Sequence, residues 1–209
     1  MNKSPRERRQ ERTRQDIVEK AFQLIRENGL EKFSLREVAR RADFSPAGLY
    51  EYFSDKDDLI RAVSIESANR LLPELEAVPR QAQPDAYVLE LCLAFLRYAR
   101  REPTYIGLLS RNNPCVAEQF EKYTLPDLLA DPITRLFHDA IQECIEAGVF
   151  LESESSGTLD IFYGLWTMCL GMIFVQVNLF LPQAFDFEAI DRLALGTFLA
   201  GLAHQSDDV

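Results

Sequence analysis

The stretch that decides the fold runs from Ser34 to Lys56 and reads SLREVARRADFSPAGLYEYFSDK. Its first half predicts a short helix with a capping box, in which Ser34 accepts from the amide of Glu37 and the Glu37 side chain reaches back. Apolar residues then recur at helical spacing along one face of this helix: Leu35, Val38, Ala39 and Ala42.

The second half of the stretch predicts another helix after a tight turn at Asp43-Phe44. Ser45 is a favourable N-cap, and Pro46 suits a first helical turn because no amide hydrogen is needed there. This helix is expected over residues 47–53. Two short helices joined by a tight turn, the second exposed on the surface, describe a helix-turn-helix.

A longer helix is predicted before this stretch, from about Gln10 to Asn28, with Gly29 as its left-handed terminator. Residues 1–9 are expected to be flexible. The three helices would form a compact unit with a mostly local core. The expected core residues are Phe22, Ile25, Leu30, Phe33, Val38, Ala39, Phe44, Leu49 and Phe53.

Charge is distributed unevenly along the chain. The net charge of −10 argues at first against a nucleic-acid partner. Residues 1–41, however, carry 12 Lys/Arg against 7 Asp/Glu, whereas residues 42–209 carry 11 against 26. A basic end on an acidic body fits one end that faces phosphate. The basic residues of 1–14 form either a solvated tail or a segment that lies along a phosphate backbone or minor groove.

These residues carry a resemblance to a known family. The basic tail, the helix ending in N-G and the run FSLREVARRADFSPAGLYEYFSDKDDL resemble the DNA-binding domain of the TetR (tetracycline-repressor-like) family over roughly residues 10–62. The resemblance implies an all-α homodimer with an N-terminal DNA reader and a C-terminal domain that binds a small molecule. Asp43 stands where the family usually has Gly, and Asp tolerates a left-handed backbone better than most residues.

DNA contacts are expected from the helix-turn-helix. Tyr50 and Tyr52 cannot both be buried in so short a helix, so their hydroxyls suit phosphate or base edges, with one ring packed. Lys56 lies in the first turn of the next helix, where its ammonium can reach phosphate. Small residues let the recognition helix approach the groove floor. The expected DNA-binding residues are Ser34, Arg36, Ser45, Ala47, Gly48, Tyr50, Tyr52 and Lys56.

A regulatory domain is predicted over residues 55–209, after a DNA-binding domain over residues 1–54. Its first helix is expected over residues 55–78, capped by Ser54 and Asp57 and kinked at Pro73. Further helices are expected over 85–101, 105–110, 132–148 and 159–181, with a last one capped by Asp186. The pattern of residues 115–130 is ambiguous, and these residues could form a helix that is interrupted at Pro126.

The segment from Leu159 to Leu181 is apolar on every face and long enough to span a bilayer. It contains polar residues and no Lys or Arg occurs near it, so a helix buried in a soluble dimer is the favoured interpretation. The last helix carries a matching stripe, and two helices from each subunit would make a four-helix interface. The expected interface residues are Gly164, Thr167, Gly171, Leu193, Thr197, Phe198 and Gly201.

An effector pocket is expected from aromatic residues of the C-terminal domain, although each of them alone is better explained by core packing. No basic residue lies between 136 and 191, which disfavours a polyanionic ligand and favours a neutral, hydrophobic or cationic one. The expected lining residues are Phe95, Tyr98, Tyr105, Phe120, Tyr123, Phe137, Phe162 and Trp166.

The chain is therefore expected to be a cytoplasmic, ligand-responsive regulator, a repressor released from a palindromic operator. No enzyme motif, metal-ligand spacing or cofactor motif is present in the sequence, and the four cysteines form no C-x-x-C pair. They are expected to be reduced, buried thiols, with a redox sensor as the alternative. Rival functions are an activator or effector-independent DNA-binding protein, a membrane-tethered sensor and a helical enzyme.

Overall fold

The computed structural model describes residues 4–112, 125–151, 157–178 and 186–203, and regular structure in these ranges is entirely helical. The all-α expectation is confirmed. The described helices are α1 (Pro5–Asn28), α2 (Leu35–Arg41), α3 (Pro46–Leu49), α4 (Lys56–Glu76), α5 (Pro84–Arg101), α6 (Pro103–Asn112), α7 (Leu125–Ala130), α8 (Pro132–Glu146), α9 (Thr158–Asn178) and α10 (Phe187–Ala203), with a 3-10 turn at Leu30–Lys32.

Helix α1 begins at Pro5, so the start predicted near Gln10 is wrong. A complete capping box explains the earlier start. Ser4 Oγ accepts from the amide of Glu7 at 3.3 Å, and the Ser4 amide donates to Glu7 Oε2 at 2.7 Å. The chain is therefore helical from Pro5 on, and the flexibility that we expected over residues 1–9 stays a prediction.

The chain forms two compact units. The first contains Met1–Arg70 and Pro103–Glu118, and the second contains Leu71–Glu102 and Gln119–Val209. The boundary thus falls within α4 and again between α5 and α6. The functional division that we expect after residue 54 is a different boundary and stays a prediction.

The core of the first unit is built on one face of α1. All nine residues expected there belong to the core or pack against it, with Leu30 and Phe44 partly buried. Later residues, which local patterns did not identify, complete it. Leu59 and Val63 of α4 are fully buried in this core, and so is Leu108 of α6. Helix α6 also packs against the 3-10 turn.

The helix-turn-helix consists of α2 and α3. Asp43 in the turn has φ 57°, as its left-handed position required. Helix α3 ends at Leu49, although we expected a helix to residue 53. The chain then continues in hydrogen-bonded turns, and the amides of Tyr52 and Phe53 both donate to the carbonyl of Leu49 at 3.0 Å.

Helix α4 is capped one residue later than predicted. Asp55 Oδ1 accepts from the amide of Asp58 at 2.7 Å, and Asp58 Oδ2 accepts from the amide of Ser54 at 3.0 Å. The expected pair of Ser54 with Asp57 is therefore wrong, because α4 begins at Lys56 and Asp55 is the residue directly before it. Pro73 lies inside the helix, which continues to Glu76; the kink stays a prediction.

Helix α5 is the central helix of the second unit and packs against α8, α9 and α10. Its sides bury Tyr87, Val88, Leu91, Cys92, Leu93, Ala94, Phe95, Leu96, Tyr98 and Ala99. Asp131 caps α8 by accepting from the Thr134 amide at 2.7 Å, and Asp186 caps α10 by accepting from Ala189 at 3.1 Å. Both caps confirm the prediction.

Candidate nucleic-acid interface and effector cavity

The first turn of helix α2 is exposed. Ser34 is exposed and its Oγ accepts from the amide of Glu37 at 3.3 Å, while Arg36 is exposed on the first turn. The Glu37 carboxylate does not accept the return hydrogen bond from the Ser34 amide that the capping box predicted. It instead accepts from Arg40, with Nε 2.9 Å from Oε2.

The ion pairs of α2 fix its basic side. Arg40 and, more weakly, Arg41 hold the pKa of Glu37 at about 2, well below its usual value. Arg41 also reaches Glu27 of α1 at 2.5 Å, which lowers the pKa of Glu27. Both arginines thus form ion pairs within the domain.

Helix α3 offers a small, exposed surface. Ser45 caps it by accepting from the Gly48 amide at 3.0 Å, and Ala47 is exposed. A Cβ built at Gly48 would lie 3.3 Å from Ser45 Oγ and 3.4 Å from Phe44 Cδ1. Gly48 is therefore closely packed against Ser45 and Phe44, and its expected approach to a DNA groove stays a prediction.

The two tyrosines after α3 differ in their surroundings. The ring of Tyr52 packs edge-on against Phe44, with centroids 5.7 Å apart, and is half-buried. Tyr50 is 59% exposed. This fits the expectation that one ring packs, and it leaves the Tyr50 hydroxyl as the freer of the two for an external partner.

Lys56 opens α4 beside the domain core. Its Nζ lies 5.5 Å from the centroid of the Phe33 ring, which holds the ammonium near the start of α2. The Asp58 amide in the same turn already donates a hydrogen bond to the side chain of Asp55. The ammonium, rather than that amide, is therefore the group that can meet phosphate here.

Sequence reasoning missed how α1 is tied to the reader. The Arg14 guanidinium carbon lies 4.6 Å from the centroid of Phe53, and Arg14 follows two exposed helical turns. The extended helix presents exposed arginines on its surface: Arg6, Arg8, Arg9 and Arg12. These residues are part of a helix that continues into the domain core.

Four of the expected effector residues meet in the second unit. Phe95 lies 5.0 Å from Trp166, Phe162 stacks on Trp166 at 5.9 Å, and Phe137 lies 6.5 Å from Phe162, all between ring centroids. They line a cavity of about 10 Å³ together with Cys92, Leu165 and Cys169. That volume holds about one water molecule, so the cavity is closed to a larger molecule in this conformation.

The other expected pocket residues do not line this cavity. Tyr98 is buried elsewhere on α5, with Arg101 5.3 Å from its ring centroid. Tyr105 is buried in the first compact unit, because α6 belongs to it. Their assignment to an effector pocket stays a prediction that this cavity does not support. Phe120 and Tyr123 lie outside the described residues.

The family follows from a comparison with known proteins. The model for "Bacterial regulatory proteins, tetR family" matches residues 17–63, which contain most of α1, the helix-turn-helix and the start of α4. Residues 17–63 form a domain of the tetR family. The match covers the stretch from Ser34 to Lys56 completely.

Solved structures share the tetR-family architecture over most of this chain. A tetR-family transcriptional regulator from Streptomyces coelicolor is 18% identical, with a TM-score of 0.65 over 92% of this chain and 80% of that one. RolR in complex with resorcinol is 16% identical, with a TM-score of 0.66 over 97% and 98%. FadR from Bacillus subtilis in complex with stearoyl-CoA is 14% identical, with a TM-score of 0.67 over 90% and 98%. At these identities the likeness shows the fold.

Helices α9 and α10 carry an exposed apolar face. Tyr163 is 71% exposed, Phe174 57% and Leu193 72%. Thr167, Gly171, Thr197 and Gly201 are exposed as well. Gly164 and Phe198, expected on this face, instead pack on each other within the chain, since a Cβ built at Gly164 would lie 3.0 Å from Phe198 Cζ.

A groove of about 400 Å³ lies in this face, lined mainly by apolar residues of α9 and α10, with Gln176 and Asp191 among its lining residues. By length and composition α9 could also cross a membrane, and 22% of that apolar window is buried within the described chain. A helix that another protein covers in a complex can likewise be long, apolar and only partly buried within its own chain. The described residues hold no cluster of three or more His, Cys, Asp or Glu that could bind a metal ion.

Proposed function

We propose that this tetR-family regulator is a cytoplasmic repressor, which leaves a palindromic operator when a small, largely apolar effector binds. The observation that carries the proposal is the exposed Tyr50 hydroxyl beside the small surface of Ser45, Ala47 and Gly48, on a helix held by the domain core. A tyrosine left outside a well-packed domain suits contact with phosphate or base edges. Arg36 and Lys56 add positive charge on either side of it in sequence.

The regulator would act as a homodimer through the exposed face of α9 and α10. A contiguous apolar surface of this kind marks an interaction site on a protein in water. Two copies would bury Tyr163, Phe174 and Leu193 against each other in a four-helix interface. The two readers would then contact successive major grooves about 34 Å apart.

The effector would enter the cavity between α5, α8 and α9. No charged side chain lines it, so burial of a charged ligand there would be costly. An uncharged molecule with an aromatic or aliphatic body fits this lining best, and the cavity must widen to admit it. That RolR and FadR were solved with resorcinol and stearoyl-CoA supports a small-molecule effector for this fold.

Two covalent connections would carry the signal. Helix α4 belongs to the first unit up to Arg70 and to the second from Leu71, and the chain returns to the first unit at Pro103. The effector cavity contains residues of α5, the helix that directly precedes α6. A shift of α5 would be passed to α6, whose Leu108 is part of the reader's core. A coupling of about 1–3 kcal/mol is typical of such linkage.

In vitro selection of DNA bound by the full chain tests this function. From a random library, the wild type should enrich a palindrome with half-sites about 10 base pairs apart between centres. The double variant Tyr50→Ala plus Lys56→Ala should enrich none, whereas Arg80→Ala, which removes an exposed charge from the second unit, should select the same palindrome. Enrichment of the same sequence by the double variant would refute the proposed reader.

A further inference from the structure

Two thiols line the same small cavity between α5, α8 and α9. Cys92 of α5 and Cys169 of α9 both line it, and both are buried. The neighbouring Cys169 thiol and burial together raise the pKa of Cys92 well above its usual range. Cys144 of α8 is a third buried thiol that is not among the cavity's lining residues, and burial raises its pKa to about 12.

The surroundings limit which ligands such a pair can take. The remaining lining residues are aromatic or aliphatic, and no charged side chain is among them. Zinc needs about four ligands, and a copper(I) ion held by two thiolates would leave a net negative charge in an apolar site. The pair therefore favours a ligand that binds two sulfur atoms and forms a neutral adduct.

We propose that Cys92 and Cys169 together bind a trivalent organic arsenical, R–As=O, whose organic group packs among the rings of Phe95, Phe162 and Trp166. Two As–S bonds form, and both bonds from arsenic to its oxygen break. The oxygen leaves as water with the two thiol protons. Arsenic stays trivalent, so the step needs no oxidant or reductant. The adduct is neutral and adds no charge to the cavity.

Space for the organic group would be made by movement of the two half-buried rings at the edge of the cavity, Phe162 and Trp166. The cavity of about 10 Å³ is too small for an aryl group, but Phe162 and Trp166 are half-buried and border it. Either ring can turn outward without opening the centre of α5, whose Cys92 and Phe95 are fully buried. The aryl ring of a monoaryl arsenical would thus take the place of the ring that turns outward and would pack against the remaining rings of the cavity.

Titration with phenylarsine oxide tests the site on the full chain. Trp166 is the chain's single tryptophan and lines the cavity, so its fluorescence reports binding there. We expect one equivalent to quench Trp166, and intact mass to show one phenylarsenic unit in place of two hydrogens. Peptide mapping of the wild-type adduct should link the peptides that contain Cys92 and Cys169.

Variants and reversal separate paired thiols from single ones. Cys92→Ala and Cys169→Ala should each weaken binding at least tenfold, because only one As–S bond remains, whereas Cys144→Ala should bind as the wild type does. A small dithiol should restore the Trp166 signal, and a monothiol at the same thiol concentration should not. Because the thiolate is the nucleophile, the binding rate should rise with pH below the raised pKa, by about tenfold per unit for a single ionisation.

An adduct mapped to Cys115 or Cys144, or unchanged binding by both single variants, would overturn the proposal. If a variant does not fold, the crosslinked peptide from the wild type still decides. The regulatory consequence rests on the proposed function: phenylarsine oxide should release the selected DNA from the wild type but not from Cys92→Ala. Crosslinking at the pair without release of DNA would support the site and count against its role as the effector site.

Discussion

Gln176 of α9 donates a hydrogen bond from Nε2 to Oδ1 of Asp191 in α10 over 2.7 Å, and both residues are buried. Arg100 of α5 completes the cluster, since its Nη1 donates to Gln176 Oε1 at 3.0 Å and to the other oxygen of Asp191. Three helices are thus joined by polar groups beneath the exposed apolar face. Their relative register, and with it the shape of that face, is set by this cluster.

Removal of Arg100 should destabilise the chain. Arg100→Ala leaves the buried Asp191 carboxylate without its cation, which costs about 3–5 kcal/mol when one partner of a buried pair is removed. Because Arg100 is about one-fifth exposed, we expect a loss near the lower bound, measured by urea unfolding. Arg80→Ala breaks an exposed ion pair with Glu143 and should cost less than about 1 kcal/mol. Equal losses in the two variants would contradict the structural role of the cluster.

Substitution of two glycines of α9 by alanine separates packing within the chain from packing at the proposed dimer interface. A Cβ at Gly164 would lie 3.0 Å from Phe198, so Gly164→Ala should overpack the chain itself and cost about 1–3 kcal/mol of stability. A Cβ at Gly171 meets nothing within 4 Å, so Gly171→Ala should stabilise the isolated helix by about 0.5–1 kcal/mol.

Sedimentation without detergent then measures the dimer. The wild type should sediment as a dimer, and Gly171→Ala should raise its dissociation constant if a partner approaches closely there. A monomeric wild type would contradict the interface, and insolubility in the absence of detergent would favour the membrane-tethered alternative. Leu193→Arg, which places a charge on the same exposed face, should give a monomer that unfolds as cooperatively as the wild type.

The stability of α2 should depend on Glu37 in acid. Arg40 and Arg41 lower the pKa of Glu37 from 4.5 to about 2 in the folded chain. A lowered folded-state pKa means that ionised Glu37 contributes stability above pH 4.5, and that this contribution is lost as the pH falls to about 2.

Comparison with Glu37→Gln isolates this effect. The variant should have a lower unfolding midpoint than the wild type at pH 7, and the difference should shrink between pH 4.5 and pH 2. Glu31→Gln, at an exposed glutamate of the 3-10 turn, serves as the charge-matched control. A difference between wild type and Glu37→Gln that stays constant over this range would contradict the assigned ion pairs.

The sequence predicted the reader well because its signals are local. Caps at Ser34 and Ser45, the left-handed Asp43 and the core face of Val38 and Ala39 all depend on neighbours within a few residues. The start of α1 was also local and was missed, because the signal at Ser4 and Glu7 lies in a stretch whose basic charge resembles a flexible tail.

Long-range contacts could not be predicted from the same signals. Leu108 enters the reader's core from α6, and Tyr105 accompanies it away from the effector cavity. Their periodicity marks an apolar helix face but does not say which unit covers it. The meeting of Cys92 and Cys169 at one cavity likewise depends on how α9 packs on α5, and the seventy-six positions between them give no local signal for this packing.

The turn residue gives a prediction that separates backbone strain from recognition. Asp43 has φ 57°, a region that costs most residues about 1–2 kcal/mol and glycine little. Asp43→Gly should leave thermal stability unchanged or raise it by up to about 1 kcal/mol, whereas Asp43→Val should lower it by more than that. DNA affinity of Asp43→Gly should equal that of the wild type. A loss of affinity in this variant would show that the Asp43 side chain itself contacts DNA.

The central claim is that residues 34–56 read DNA, and the salt dependence of affinity for the selected palindrome tests it most directly. Fluorescence anisotropy at a series of salt concentrations should give a steep slope for the wild type. Lys56→Ala should reduce that slope by about 0.9 for each phosphate contact removed, or about 1.8 per dimer. Tyr50→Ala should weaken binding with circular dichroism unchanged. Equal affinities and equal slopes for the wild type and both variants would contradict the account.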